Sequence, residues 1–153
     1  MNAPRIDRPD FAALTPGVSE ALLALGKAIN ESGLDKGLLE LVKLRASQIN
    51  GCAFCLQFHL NLARQLGVSQ AQIDLLAVWR EAPVFQERER IALAWTEALT
   101  TPSQGIPDAL YEQALAEFGA AHLGFLTAAI ANINAWNRIA GALRFTPPLP
   151  REA

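Results

Sequence analysis

This sequence predicts an all-α protein, a single bundle of about six or seven helices. Between breakers, nearly every segment places apolar residues three and four apart, the period of a helix with one buried face. No stretch alternates with period two beside hairpin turn residues. Segment boundaries instead carry helix start and stop residues.

Residues 1–17 hold three prolines and no continuous apolar run, so they are expected as an extended N-terminal arm without the pattern of a signal peptide. Ser19 can cap a first helix with Leu22, Leu25 and Ile29 on one face, and Gly33 follows its end. A second helix begins near Asp35 and presents Leu38, Leu41, Val42 and Ile49. Asn50-Gly51 then forms a turn directly before Cys52. The third helix runs from about Cys52 to Leu66, and Ser69 opens the fourth, with Gln72 completing a capping box. That helix carries Ile73, Leu76 and Trp79 until Pro83 interrupts. A fifth starts among Glu87, Arg88 and Glu89, presents Ile91, Ala94, Trp95 and Leu99, and ends before Pro102. Pro107 suits the first position of a short helix reaching Phe118, because its missing N–H has no intrahelical partner there. The last helix is the most apolar, and residues 145–153, with three prolines, form an extended tail.

A chain of 153 residues, 51% hydrophobic and 18% charged, can bury one ordinary core, so residues 1–153 are read as one domain. A net charge of -2 with singly scattered basic residues offers no footprint for nucleic acid or an anionic membrane. The longest apolar stretch, Ala120 to Ala142, contains His122, Asn132, Asn134, Asn137 and Arg138, which are costly in a bilayer, so it reads as a buried helix. A cytoplasmic location follows as an expectation. In a reducing compartment, two cysteines separated by two residues are more often redox-active or metal-binding than a structural staple.

Cys52, Cys55 and His59 stand at i, i+3 and i+7, one side of a helix. Residues three apart hold their Cβ atoms about 5–6 Å apart, beyond the ~3.8 Å of a disulfide, so closure needs adjustment at the helix start. A bond formed that way is easily reduced, which suits catalysis. Two influences favour a thiolate: the helix N-terminus near Cys52, and His59 four residues after Cys55 as a proton acceptor. They favour different sulfurs, and the residues alone do not choose between them. Glu40, twelve residues before Cys52, can return beside His59 across the Asn50-Gly51 turn and orient its imidazole. Phe54, Leu56 and Phe58 are candidates to line or flank a small apolar pocket.

The stretch ELVKLRASQINGCAFCLQFH, Glu40 to His59, resembles the Glu, eleven residues, Cys-x-x-Cys, three residues, His motif of the alkylhydroperoxidase D (AhpD) and carboxymuconolactone decarboxylase superfamily. The likeness continues more loosely through Gly67, Glu87 to Arg90 and Ala135 to Arg138, covering roughly residues 17–144. It implies an AhpD-like helical bundle and a thiol-dependent peroxidase. Cys55 would be the peroxidatic thiolate, Cys52 the resolving cysteine, and Glu40 with His59 a proton relay. No tightly bound cofactor is implied. The reductant would be an external dithiol such as dihydrolipoamide, carried by a thiol protein or lipoyl domain, and the assembly a trimer or hexamer. Where the namesake enzymes carry a histidine between the cysteines, this chain has Phe54, and its motif lies in the first half of the chain. The decarboxylase branch does not depend on a cysteine pair, so the pair argues against that activity.

Other readings stand beside this one. The pair could serve general disulfide reduction or thiol exchange, pack as inert small hydrophobes, or hold a metal with His59, although the second ligand pair of a structural zinc site is missing. A homo-oligomer is expected because the last helix is apolar nearly all round, with Asn134, Asn137 and Arg138 as a polar stripe pairing at a subunit contact.

Overall fold

The computed structural model describes residues 3–150, and among them it contains seven α-helices and no strand. Of the extended arm expected over residues 1–17, residues 3–7 are non-helical, residues 1–2 lie outside the described residues, and the rest is helical but for Thr15. Helix α1 spans Arg8–Leu14 and α2 spans Pro16–Asn30. Prolines that read as breakers sit in the first turn of each, where a fixed φ and a missing N–H favour a helix. The Asp7 carboxylate accepts from Arg8 N–H at 2.8 Å and also takes the backbone N–H and hydroxyl of Thr146, at 2.9 and 2.8 Å. Thus α1 is tied to the C-terminal tail. Of the expected 145–153 tail, residues 145–150 are non-helical and residues 151–153 lie outside the described residues. Ser19 caps nothing; it lies inside α2, buried, and its hydroxyl makes no hydrogen bond among the described residues.

Helix α3, Lys36–Ile49, starts at Asp35, whose side chain accepts from Leu38 N–H at 2.8 Å. It is the central element, packed on α4 (Ala53–Gln65), α6 (Glu87–Thr100) and α7 (Asp108–Leu143). Leu38, Leu39 and Val42 join Ile29, Trp95, Leu126 and Ile130 in one core. Leu41 and Leu44 face a second core with Leu76, Trp79 and Leu93. Each such side chain contributes roughly 1.5–3 kcal/mol of transfer free energy, so a helix buried on two faces fixes the positions of its polar residues. Helix α5, Gln70–Leu75, opens with the Ser69/Gln72 capping box and gives way to a 3-10 turn at Leu76–Val78.

The two final helices expected from the sequence both form, as the two arms of α7, and they meet at Gly119, whose φ 71° and ψ 162° are not helical. Glycine alone adopts that backbone without a Cβ penalty. Pro107 sits one position earlier than expected, at the N-cap. By length and composition α7 could cross a membrane; here it packs against α2, α3, α4 and α6, with Gly124, Phe125, Ala131 and Arg138 exposed. A third core, of Ala46, Cys52, Cys55, Ile133, Ala140 and Phe145, closes the seam between the start of α4 and the last turns of α7.

Candidate active site

The chain turns between α3 and α4 at Asn50-Gly51, where Gly51 takes φ 64°. This brings α4 back along α3 and makes Cys52 the N-cap of α4. Its sulfur accepts the Cys55 N–H at 3.3 Å, the bond a serine or aspartate oxygen usually takes. Cys52 and Cys55 are free thiols, each only 2% exposed. The helix start therefore leaves Cys52 no more exposed than Cys55. Cys55 lines a cavity of about 570 Å³ together with Glu40, Phe54, Phe58 and His59, whereas Cys52 lies behind it. Leu56 faces the other way, into the second core.

Glu40 is 4% exposed, and its two oxygens are divided between partners. Oε2 lies 2.6 Å from His59 Nδ1, and Oε1 accepts from Lys43 Nζ at 2.8 Å. Burial is the largest single influence on this carboxyl and raises its pKa, but the hydrogen bond and charge of His59, then the charge and hydrogen bond of Lys43, together outweigh it. It is held below its ordinary value. With Nδ1 engaged, His59 Nε2 makes no hydrogen bond among the described residues, so the ring is oriented with one nitrogen available.

The two thiols share a proton unequally. Cys52 falls from an ordinary 9.0 to about 7, first because Cys55 donates its S–H to it, against the cost of burial, and then through the Cys55 N–H, Asn137 and the Phe54 N–H. Cys55 is pushed up, first as the donor in that bond, then by burial and by the neighbouring charge. The hydrogen bonds from Cys55, Asn137 and the Phe54 N–H thus draw the resting negative charge to Cys52, while Cys55 faces the cavity.

Sequence reasoning found Glu40, Cys52, Cys55 and His59, which the fold brings to one place. It missed Lys43, although an i, i+3 partner of Glu40 was legible. It also misjudged Asn137. That residue is 3% exposed, donates to Ser47 Oγ at 3.0 Å, accepts from Asn50 Nδ2 at 2.9 Å and reaches the cysteine sulfurs. Asn134 accepts from Asn50 and from Arg138, each at 2.9 Å. The polar stripe is therefore satisfied within the chain and supports the site. Among the described residues no three His, Cys, Asp or Glu side chains group as metal ligands.

Known proteins share this architecture. The model of the carboxymuconolactone decarboxylase family matches residues 16–98, more than half of the chain, and the chain belongs to that family. The uncharacterized protein YdfG of Bacillus subtilis is 32% identical over 137 residues, 89% of this chain and 93% of its own length. A solved structure from Agrobacterium tumefaciens, of a protein of unknown function described as a candidate antioxidant defence protein AhpD, matches with a TM-score of 0.90. It is 40% identical and covers 97% of this chain and 100% of its own. An uncharacterized peroxidase-related protein from Silicibacter sp. TM1040 matches with a TM-score of 0.76 at 27% identity, over 84% of this chain and 69% of its own. The fold is AhpD-like, and the structural neighbours are peroxidase-related.

Proposed function

We propose that the protein is a thiol-dependent peroxidase whose cysteine pair cycles between dithiol and disulfide. The observation that carries this is the arrangement at the cavity: Cys55 and the Glu40-oriented His59 line it together, with Cys52 bonded to Cys55 behind. As the Cys55 sulfur attacks the terminal oxygen of R–O–OH, its proton passes along the existing hydrogen bond to Cys52. An S–O bond forms, the O–O bond breaks, and the departing alkoxide takes a proton from His59. Cys52 then attacks the sulfenic sulfur, an S–S bond forms as the S–O bond breaks, and the departing hydroxide takes the Cys52 proton, passed through His59, to leave as water. An external dithiol, such as dihydrolipoamide free or on a lipoyl domain, reduces the disulfide through two exchange steps.

Attack by Cys55 is consistent with its raised pKa because a minor tautomer can carry the reaction when it alone faces the substrate. The burial of both sulfurs, each 2% exposed, disfavours a general reductase of protein disulfides, whose substrates are too large for the cavity. A cytoplasmic location would keep the resting pair reduced. Assembly into a trimer or hexamer is part of the same proposal, supported by exposed Leu14, Val18, Leu23 and Phe125.

One experiment tests the chemistry. Stoichiometric cumene hydroperoxide should remove two protons from the reduced monomer without linking chains, as read by non-reducing mass analysis. Cys55→Ser should not react, whereas Cys52→Ser should react once and accumulate sulfenic acid. Two thiols that stay free, or a Cys55→Ser chain that still oxidises, would refute the scheme.

A further inference from the structure

From the cavity's lining we infer that the substrate is an organic hydroperoxide with an apolar body and a carboxylate. This rests on the peroxidase reading for the reacting end only; the apolar body and the anion come from the cavity. A volume of about 570 Å³ is on the order of twenty times the ~30 Å³ share of a water molecule, far beyond what hydrogen peroxide fills. It falls in the range of sites for organic ligands. Leu22, Leu62, Ile133 and Trp136 extend the apolar wall begun by Phe54 and Phe58.

The charges on that wall are not balanced. Arg8, Lys27, Lys36 and Lys43 line the cavity against Glu31 and Glu40, in a chain whose net charge is -2. Glu40 holds Lys43 at 2.8 Å, and Glu31 lies 3.9 Å from Lys27. Arg8 and Lys36 have no carboxylate partner among the described residues. The Arg8 guanidinium rests over the rings of Phe54 and Phe58, 5.7 and 5.4 Å from their centroids, so its N–H groups remain available beside the aromatic wall. Lys36 stands one turn before Glu40 on the same face of α3, about 6 Å along the axis from the dyad. An apolar body in contact with the phenylalanines therefore meets two cations that lack an anion.

The test uses ligands with no O–O bond, so its outcome is independent of the peroxidase chemistry. The reduced full chain is titrated calorimetrically with decanoate, decanol and decyltrimethylammonium. Decanoate should bind about tenfold or more tighter than decanol, and the ammonium compound weakest. Raising salt from about 50 to about 500 mM should shrink the preference for decanoate. In the Arg8→Gln/Lys36→Gln chain, checked for folding by circular dichroism, that preference should fall to about twofold or less. Equal binding of decanoate and decanol by the unaltered chain overturns the assignment, as does a preference that survives the double substitution. If decanoate is preferred while cumene hydroperoxide leaves both thiols free, the peroxidase reading fails and the anionic apolar ligand stands.

Discussion

Replacing Glu40 with glutamine separates the stability of the site from its chemistry. The change keeps the size and an acceptor oxygen but removes the carboxylate that Lys43 and His59 share, in a place where Glu40 is 4% exposed and the Lys43 side chain 15%. Breaking a buried ion pair from one side costs about 3–5 kcal/mol, and the partial exposure of Lys43 toward the cavity favours the lower end, about 3 kcal/mol. At roughly 2 kcal/mol per molar urea for a chain of this size, the unfolding midpoint should drop by about 1.5 M. The loss must depend on pH. Because the folded carboxyl lies below its ordinary 4.5, its stabilisation is complete above that value and disappears as pH falls through the folded pKa. Urea titrations at pH 7 and at progressively lower pH should therefore show the gap between the two chains closing below pH 4.5. Peroxide turnover at pH 7 should fall by about 10² or more, since His59 loses its orienting partner. A Glu40→Gln chain as stable as the original at pH 7, or a gap constant down to pH 3, would refute the buried-pair account.

The alkylation rate of the reduced chain with iodoacetamide should rise with a midpoint near 7, and Cys55→Ala, which removes the main donor to Cys52, should move it up toward 9.0. Asn137→Leu should raise the same midpoint and lower stability by about 1–3 kcal/mol, because Ser47 and Asn50 lose a buried partner. Asn137→Asp should raise the midpoint further, since a second negative charge opposes the thiolate. Light scattering at low micromolar concentration should return a multiple of 16.5 kDa, and the bare monomer mass would refute assembly.

What the sequence determined by itself is local. Helical period, the helix start near Asp35, the Ser69/Gln72 capping box, and the shared face of Cys55 and His59 all follow from spacing along one stretch of chain, and the fold keeps them. The N-terminal prolines misled because the same fixed φ that breaks a helix inside its span begins one at its first turn. Tertiary structure alone decided the rest. The spacing of Glu40 left room for a return beside His59, but only the packing of α3 on α4 sets a 2.6 Å bond. Asn137 is 82 residues from Cys55 and reaches it because α7 closes the seam over α4; no local pattern encodes that contact. The separation of the acidic sulfur from the cavity-facing one also belongs to packing, since it depends on which side of a buried helix start remains open.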